Sequence, residues 1–265
     1  MGLNGPEFYD DQGVFDTYIS RRETRTDSPN ETLEKPVFDE LLGDLTGLQI
    51  LDLGCGNAAF GVEVLQKGCE SYLGVDGSDK MVAAAKEKLA GTRGNVVQGT
   101  IEGWDYPSGQ FSLVTSRLAF HYVEGIESVF GRVFQALVEQ GRFIFSVEHP
   151  VITSSDRGWQ TNGPRQDWIV DDYFETGPRI THWMGGEVIK YHRTVEDYFI
   201  ALSATGFVVD ALRESRPQRA RFRDPATYER RKRIPLMLFF SAHRPETKQQ
   251  RPHSGSGKEH SGQML

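Results

Sequence analysis

The stretch Leu51-Asp52-Leu53-Gly54-Cys55-Gly56-Asn57-Ala58-Ala59-Phe60-Gly61 brings a carboxylate, two glycines and a thiol close together. Gly54 and Gly56 permit a tight turn and let a ligand lie against backbone that a Cβ would shield. A helix expected from Ala58 to Lys67 would aim its N-terminal amides and positive dipole end at the same spot. Asp76 stands 20 residues beyond Gly56, where a carboxylate can accept hydrogen bonds from ribose hydroxyls. A dinucleotide would satisfy these features too, since Gly54-x-Gly56-x-x-Ala59 matches the loose dinucleotide fingerprint. Asp52 argues for something else. A carboxylate two residues before the first glycine would repel a pyrophosphate and suits a ligand bearing an amine and a sulfonium. Cys55 has no base fixed near it by the sequence, so a covalent intermediate is not expected.

Groups able to move a proton or orient an acceptor follow later. His121 and Tyr122 come after one apolar run, Glu148 and His149 after the next, and His192 precedes a late helix. His149 or Glu148 is the expected base, with His121 beside them; against this stands the ordinary structural use of histidines, bonding backbone and orienting loops. His182, Glu187 and His192 are near one another in sequence, but their spacing makes no recognisable ligand set, and no metal is expected. Residues 150–190 hold Trp159, Trp168, Tyr173, Phe174 and Trp183. They could enclose a flat or apolar molecule, or pack as a small core under a long loop.

The elements that must position these groups alternate. Apolar runs at Gln49–Leu53, Ser71–Val75, Asn95–Gln98, Phe111–Ser116 and Arg142–Val147 read as strands. Between them lie helical stripes: Ser78 can cap a helix carrying Met81, Ala84, Ala85 and Leu89, and Ile126, Val129, Phe130, Val133, Phe134 and Leu137 share one face. Strand–helix alternation implies an α/β fold with a doubly wound parallel sheet. The pattern lapses over residues 150–190, expected to form an insertion or lid. It returns with a capping box at Thr194 and Asp197, a helix ended by Gly206, and two closing strands at Phe207–Leu212 and Leu236–Ala242. Residues 1–45 are expected to form a helical flap, in which Phe8, Tyr9, Phe15, Tyr18, Arg21 and Arg22 could reach the ligand. Residues 244–265, rich in Ser, Gly, Gln, Lys and His, are expected to be a disordered tail.

Composition narrows the classes. The chain has 265 residues, a formal charge of -7 and two cysteines, which excludes a disulfide framework and a uniformly basic nucleic-acid coat. No apolar run approaches the ~18 residues of a membrane helix, and the first residues lack a signal-like apolar stretch; a cytoplasmic protein is expected. Residues 213–233 differ from the rest, with nine Lys or Arg against three Asp or Glu. Such a patch could contact phosphates, be a solvated surface, or receive one anionic substrate.

LDLGCGNAAFG, YLGVDGSDKMVAAAK, FSLVTSRLAFHYVE and GRFIFSVEHP, in this order, resemble the class I S-adenosylmethionine-dependent methyltransferases, small-molecule members in particular. The resemblance spans about Gly47 to His149, with a similar ending to about Ala242. It implies a Rossmann-like sheet of seven strands whose last runs antiparallel, within a methyltransferase domain over residues 46–243. It implies that Asp52, Gly54 and Gly56, with Cys55 between them, hold the methionine portion of S-adenosylmethionine and Asp76 the ribose. Gly77, Ser78 and Met81 would line the ribose and adenine side, Ile101 and Glu102 the adenine edge, and Ser116 and Arg117 the floor under the methionine. Thr100 stands where the family usually has an acid. The implied reaction is in-line methyl transfer to O, N or C of a small molecule, with a tRNA or RNA methyltransferase, or a non-catalytic binder of the same cofactor, as the alternatives. Oligomeric state is left open.

Overall fold

The structure is a computed structural model that describes residues 2–24, 27–158 and 167–247. The chain opens with helices α1 (Gly5–Asp10) and α2 (Gln12–Thr24), a π-helical turn at Asn30–Glu34, and α3 (Lys35–Leu42). Then β1 (Gln49–Leu53), α4 (Ala59–Gln66), β2 (Ser71–Asp76), α5 (Asp79–Leu89), β3 (Gly94–Gln98) and β4 (Phe111–Arg117) follow in alternation. After α6 (Ile126–Ala136) and β5 (Leu137–Glu148) come a short α7 (Pro150–Thr153), a hairpin of β6 (Gly177–Trp183) and β7 (Gly186–His192), then α8 (Val195–Thr205), β8 (Val208–Glu214), α9 (Pro225–Arg231) and β9 (Met237–His243).

Seven strands form one sheet in the order β3-β2-β1-β4-β5-β9-β8. β9 runs antiparallel to both neighbours, and the remaining pairs are parallel. This is the Rossmann-like α/β sheet implied by the sequence. Its order reverses between β1 and β4, and the crevice outside the carboxyl ends of strands at such a switch point is where open α/β sheets bind ligands. Alternation within strands divides the core: Phe143 and Phe145 of β5 pack with Phe130, Tyr198 and Phe240 on one face, while Ile144 joins Phe38, Val64, Tyr72 and Phe239 on the other.

Two expectations change. β5 pairs from Leu137 rather than Arg142, because its register with β4 jumps across an irregularity that contains Gln140 at φ 62°. Residues 150–190 are also more regular than their composition suggests. β6 and β7 pair through seven registered positions and turn at Met184-Gly185, both at positive φ, as tight hairpin turns require. Val188, Lys190 and His192 are the inward face of β7. The N-terminus joins this hairpin. Leu3 N–H donates to the Glu187 carbonyl (3.1 Å) and Ile189 N–H to the Leu3 carbonyl (2.9 Å), and Phe8, Val14 and Val188 form a small core of their own.

Gly61 matters through space rather than backbone freedom. A Cβ there would lie 2.5 Å from the ring of Tyr72, which is 1% exposed. Gly61→Ala should therefore destabilise the protein by about 1–3 kcal/mol in urea unfolding, even though alanine favours helix. A gain in stability would show that the ring can move aside.

Candidate active site

At the carboxyl ends of β1, β2, β4 and β5 lies a cavity of about 1400 Å³. Single-ligand pockets span about 300–1,000 Å³, so there is room for two molecules side by side. One half is built around the β1–α4 turn. Gly54 has φ +70°, and a Cβ on it would meet the Ala119 Cβ at 2.4 Å; no other residue allows β1 and the β4 loop to approach so closely. Asp76 is fixed at the end of β2. One carboxylate oxygen accepts from Gly56 N–H (2.8 Å) and the other from Ser78 N–H (2.9 Å). Those bonds orient the carboxylate and leave acceptor capacity facing the cavity, which Asp76 lines.

Asp52 is 2% exposed. It sits opposite Thr115 on β4, whose hydroxyl donates to it at 2.9 Å, and two positions along from the partner of Tyr72, whose hydroxyl donates at 2.7 Å. Burial pushes its carboxyl up to about 6, against the pull of those two hydroxyls and of Arg117. Burial likewise raises Asp76, and raises the Cys55 thiol well above its usual range with Asp76 and Asp52 adding to it. The thiolate that nucleophilic catalysis would need is thus disfavoured.

The cavity is lined by Asp52, Gly54, Cys55, Gly56, Asp76, Gly77, Met81, Ile101, Glu102 and Arg117. Two residues named with them are placed elsewhere. Ser78 caps α5 through Met81 N–H and donates to Asp10 on α1 (2.7 Å), so its hydroxyl ties a helix down. Ser116 is fully buried and donates to the Leu53 carbonyl (2.9 Å), tying β4 to β1. The side chains of neither line the cavity.

The acid–base candidates also separate. Glu148 and His121 line the cavity; His149 does not. His149 Nδ1 accepts from Val151 N–H, capping α7, and Nε2 meets Glu214 at 3.1 Å. The expectation that His149 faces the acceptor differs from this placement, in which it caps α7 and meets Glu214 away from the cavity. His192 is fully buried between the Thr153 hydroxyl (2.7 Å) and the Tyr173 carbonyl (2.9 Å), so it converges with neither the cavity nor His182, which pairs with Glu187. His121 Nδ1 accepts from Glu148 N–H at 3.4 Å, and burial lowers its pKa to about 4 despite the Glu148 charge nearby. Its ring is neutral at pH 7. Glu148 receives both bonds of Lys190 Nζ (2.7 and 2.8 Å) and stays ionised, held below the usual range by that ammonium against the cost of burial.

Lys190 is one residue that sequence reading missed. It is 2% exposed, and its ammonium lies 5.8 Å from the centre of the Tyr122 ring and 5.4 Å from that of Trp183. Its signal was the period-two alternation Val188-x-Lys190-x-His192. Glu34 was missed as well. It is 1% exposed and grips Arg117 through both carboxylate oxygens, while Ser146 donates to it at 2.9 Å. From the N-terminus, Tyr9, Tyr18, Arg21 and Arg22 line the cavity, and the Tyr9 and Tyr122 hydroxyls meet at 3.2 Å. Trp168 and Trp183 also line it; Tyr173 packs on His192 instead, and Trp159 lies outside the described residues.

Residues 50–141 match a family model described as a methyltransferase domain. A solved S-adenosylmethionine-dependent methyltransferase from Mesorhizobium loti is 33% identical, with 82% of this chain and 98% of that one covered and a TM-score of 0.75. The chain belongs to the class I S-adenosylmethionine-dependent methyltransferases. A solved Listeria monocytogenes protein described as an S-adenosylmethionine-dependent methyltransferase is 34% identical over 80% of this chain and 97% of its own, at TM-score 0.75. An uncharacterised Haemophilus influenzae protein is 31% identical over 216 residues, 78% of this chain and 85% of that one.

The methyltransferase is thus an enzyme whose methyl donor is S-adenosylmethionine, and its crevice fits that donor. Gly54 and Gly56, both at positive φ, line it with backbone free of side chains, and Asp52 and Asp76 offer acidic oxygens to a molecule carrying an ammonium, a sulfonium and ribose hydroxyls. Among the described residues no group of three His, Cys, Asp or Glu is arranged to hold a metal, and no helix is long and apolar enough to cross a membrane.

Proposed function

We propose that the methyltransferase acts on O, N or C of a small molecule held in the same chamber as the donor. The observation that supports this is the continuity of the cavity from the Asp76 crevice to a wall of Tyr9, Tyr122, Trp168 and Trp183. α1 and α2 on one side and the β6–β7 hairpin on the other act as one roof over it, joined through Leu3 and Val188. A roof of that kind excludes bulk water and suits a compact acceptor better than a strand of RNA.

S-adenosylmethionine supplies a methyl carbon on a positively charged sulfur, which an acceptor atom about 3–3.5 Å away displaces in line. The protein's part is chiefly positioning. A neutral His121 whose pKa lies near 4 is a weak base at pH 7, and the Glu148 carboxylate is stabilised by Lys190. Tyr9 and Tyr122, both raised by burial, remain hydroxyls that orient the acceptor by hydrogen bonding. Glu148, held ionised by Lys190, is a hydrogen-bond acceptor in the same chamber that orients an O–H or N–H of the acceptor.

The test uses donor labelled in its methyl group, offered with a metabolite extract or with tRNA. Label is expected in a small molecule of the ultrafiltrate that chromatography separates from the donor; label transferred to RNA or protein sinks the proposal. A pH dependence accompanies it. The donor's positive groups favour ionised Asp52, whose carboxyl protonates near pH 6 in the free protein. Donor affinity should therefore rise with pH through that value and level off above it, weakening by up to about tenfold per unit below. Calorimetry from pH 5 to 8 should show the slope in wild type and its loss in Asp52→Asn; a flat wild-type profile would detach Asp52 from the donor.

A further inference from the structure

Directly across the sheet from Asp52 on β1 stand Gly74 on β2 and Thr115 on β4. Side chains at these positions share one face, and so does Tyr72, two residues before Gly74. Gly74 has no side chain, so the space opposite Asp52 is left to Tyr72. Its ring leans along the sheet until the hydroxyl donates to Asp52 Oδ2 at 2.7 Å, a diagonal contact within reach of an aromatic side chain. A Cβ on Gly74 would lie 3.2 Å from that hydroxyl and 2.7 Å from Cys55 Sγ. Gly61 of α4 makes room for the same ring, which is 1% exposed.

Packing accounts for the ring but not for its oxygen. A phenylalanine would fill the same space, whereas a buried tyrosine hydroxyl needs a partner. Here the partner is the acid of the donor crevice. Burial and the Asp52 charge keep the Tyr72 hydroxyl protonated, so it stays a donor. Thr115 donates to the other carboxylate oxygen, Oδ1, at 2.9 Å. A carboxylate has about four acceptor positions. One on each oxygen is taken from within the sheet, and Asp52 still lines the cavity. Arg117 on β4, Asp76 at the end of β2 and Cys55 in the glycine turn act on it through charge, without a hydrogen bond. Tyr18 of α2 faces Asp76, Arg117 and Cys55 instead.

We propose that Tyr72, with Thr115, is a positioning residue for the methyl donor: the two hydroxyls hold the Asp52 carboxylate so that its remaining acceptor positions receive the donor's ammonium. This rests on the reading that ionised Asp52 meets the donor, and names the buried groups that set the contact. The experiment is calorimetry of S-adenosylhomocysteine binding to the full chain from pH 5 to 8, with wild type, Tyr72→Phe and Thr115→Val. The control ligand is 5′-methylthioadenosine, which keeps adenine, ribose and sulfur but has no ammonium. A hydroxyl bonded to a carboxylate favours its charged form, so losing the hydroxyl moves the rise in affinity, near pH 6 in wild type, to higher pH. In Tyr72→Phe the rise should move up by about one pH unit, leaving S-adenosylhomocysteine about fivefold weaker at pH 6 and within about threefold of wild type at pH 8. Thr115→Val should move it in the same direction, and it decides the question alone if urea unfolding shows Tyr72→Phe to be misfolded. Methylthioadenosine should bind the variants within about twofold of wild type at each pH. An unmoved rise in a folded Tyr72→Phe, or equal weakening of both ligands at every pH, overturns the proposal. A flat wild-type profile overturns it by removing the Asp52 contact on which it rests. Failure of wild type to bind either ligand strikes the methyltransferase reading itself.

Discussion

Asp76→Ala is expected to weaken S-adenosylhomocysteine binding by about 100- to 1,000-fold while the protein stays folded. Two losses combine. Hydrogen bonds to a charged group contribute about 1.5–3 kcal/mol each, and a ribose offers two hydroxyls to one carboxylate. The carboxylate also anchors Gly56 N–H and Ser78 N–H at 2.8 and 2.9 Å, so its removal loosens the glycine turn against which the donor would lie. Asp76→Asn separates the contributions, because an amide keeps one acceptor oxygen and no charge; it should fall between the wild type and alanine. Calorimetry measures the affinity, and urea unfolding verifies the fold. Binding by Asp76→Ala within threefold of wild type would remove the ribose role from this residue and with it the shape of the donor crevice.

The donor half of the site was legible because its chemistry is written in consecutive residues. A buried parallel strand must be an apolar run, its turn must be glycine where a Cβ would meet Ala119, and the second strand must end where its carboxylate can face the turn. The opposite wall of the cavity is assembled from residues far apart in the chain, and no local pattern announces that. Glu148 and His149 show the limit. Adjacent residues at a strand end point to opposite sides, so the two could not both face the cavity, yet nothing in GRFIFSVEHP says which one does. The answer lies in Lys190 and Glu214, 42 and 65 residues away, which receive them. The hairpin was hidden for a different reason. Its outer face mixes Pro178, Ile180 and His182 with Glu187, Ile189 and Tyr191, which blurs the alternation, while the inner face buries a lysine and a histidine that would ordinarily signal solvent. Polar residues facing inward are the mark of a wall built for chemistry or for orientation rather than for packing alone.

Glu34→Ala is expected to cost about 3–5 kcal/mol of folding stability, the larger part of the margin of a marginal domain. Arg117 has 14% of its side chain exposed and lies 5.1 and 5.0 Å from the ring centres of Phe38 and Phe60. Without Glu34 its charge stays among those rings with only the Asp52 and Glu63 carboxylates, neither of them hydrogen-bonded to it, to offset it, and Ser146 loses its acceptor as well. Replacing both members, Glu34→Leu with Arg117→Met, should recover most of the loss, since an apolar pair of similar volume avoids the desolvation that the ion pair must offset. Urea unfolding of the two singles and the double measures the coupling; a cost below about 1 kcal/mol for Glu34→Ala would show that water reaches the guanidinium. The double variant then bears on function. Arg117 is one of the groups that hold the Asp52 carboxyl down against burial, so removing its charge should move the step in donor affinity to a pH above 6. A stable double variant with an unshifted step would confine the ion pair to folding. A shifted step would make the pair part of the donor site, reached from a glutamate that no motif marks.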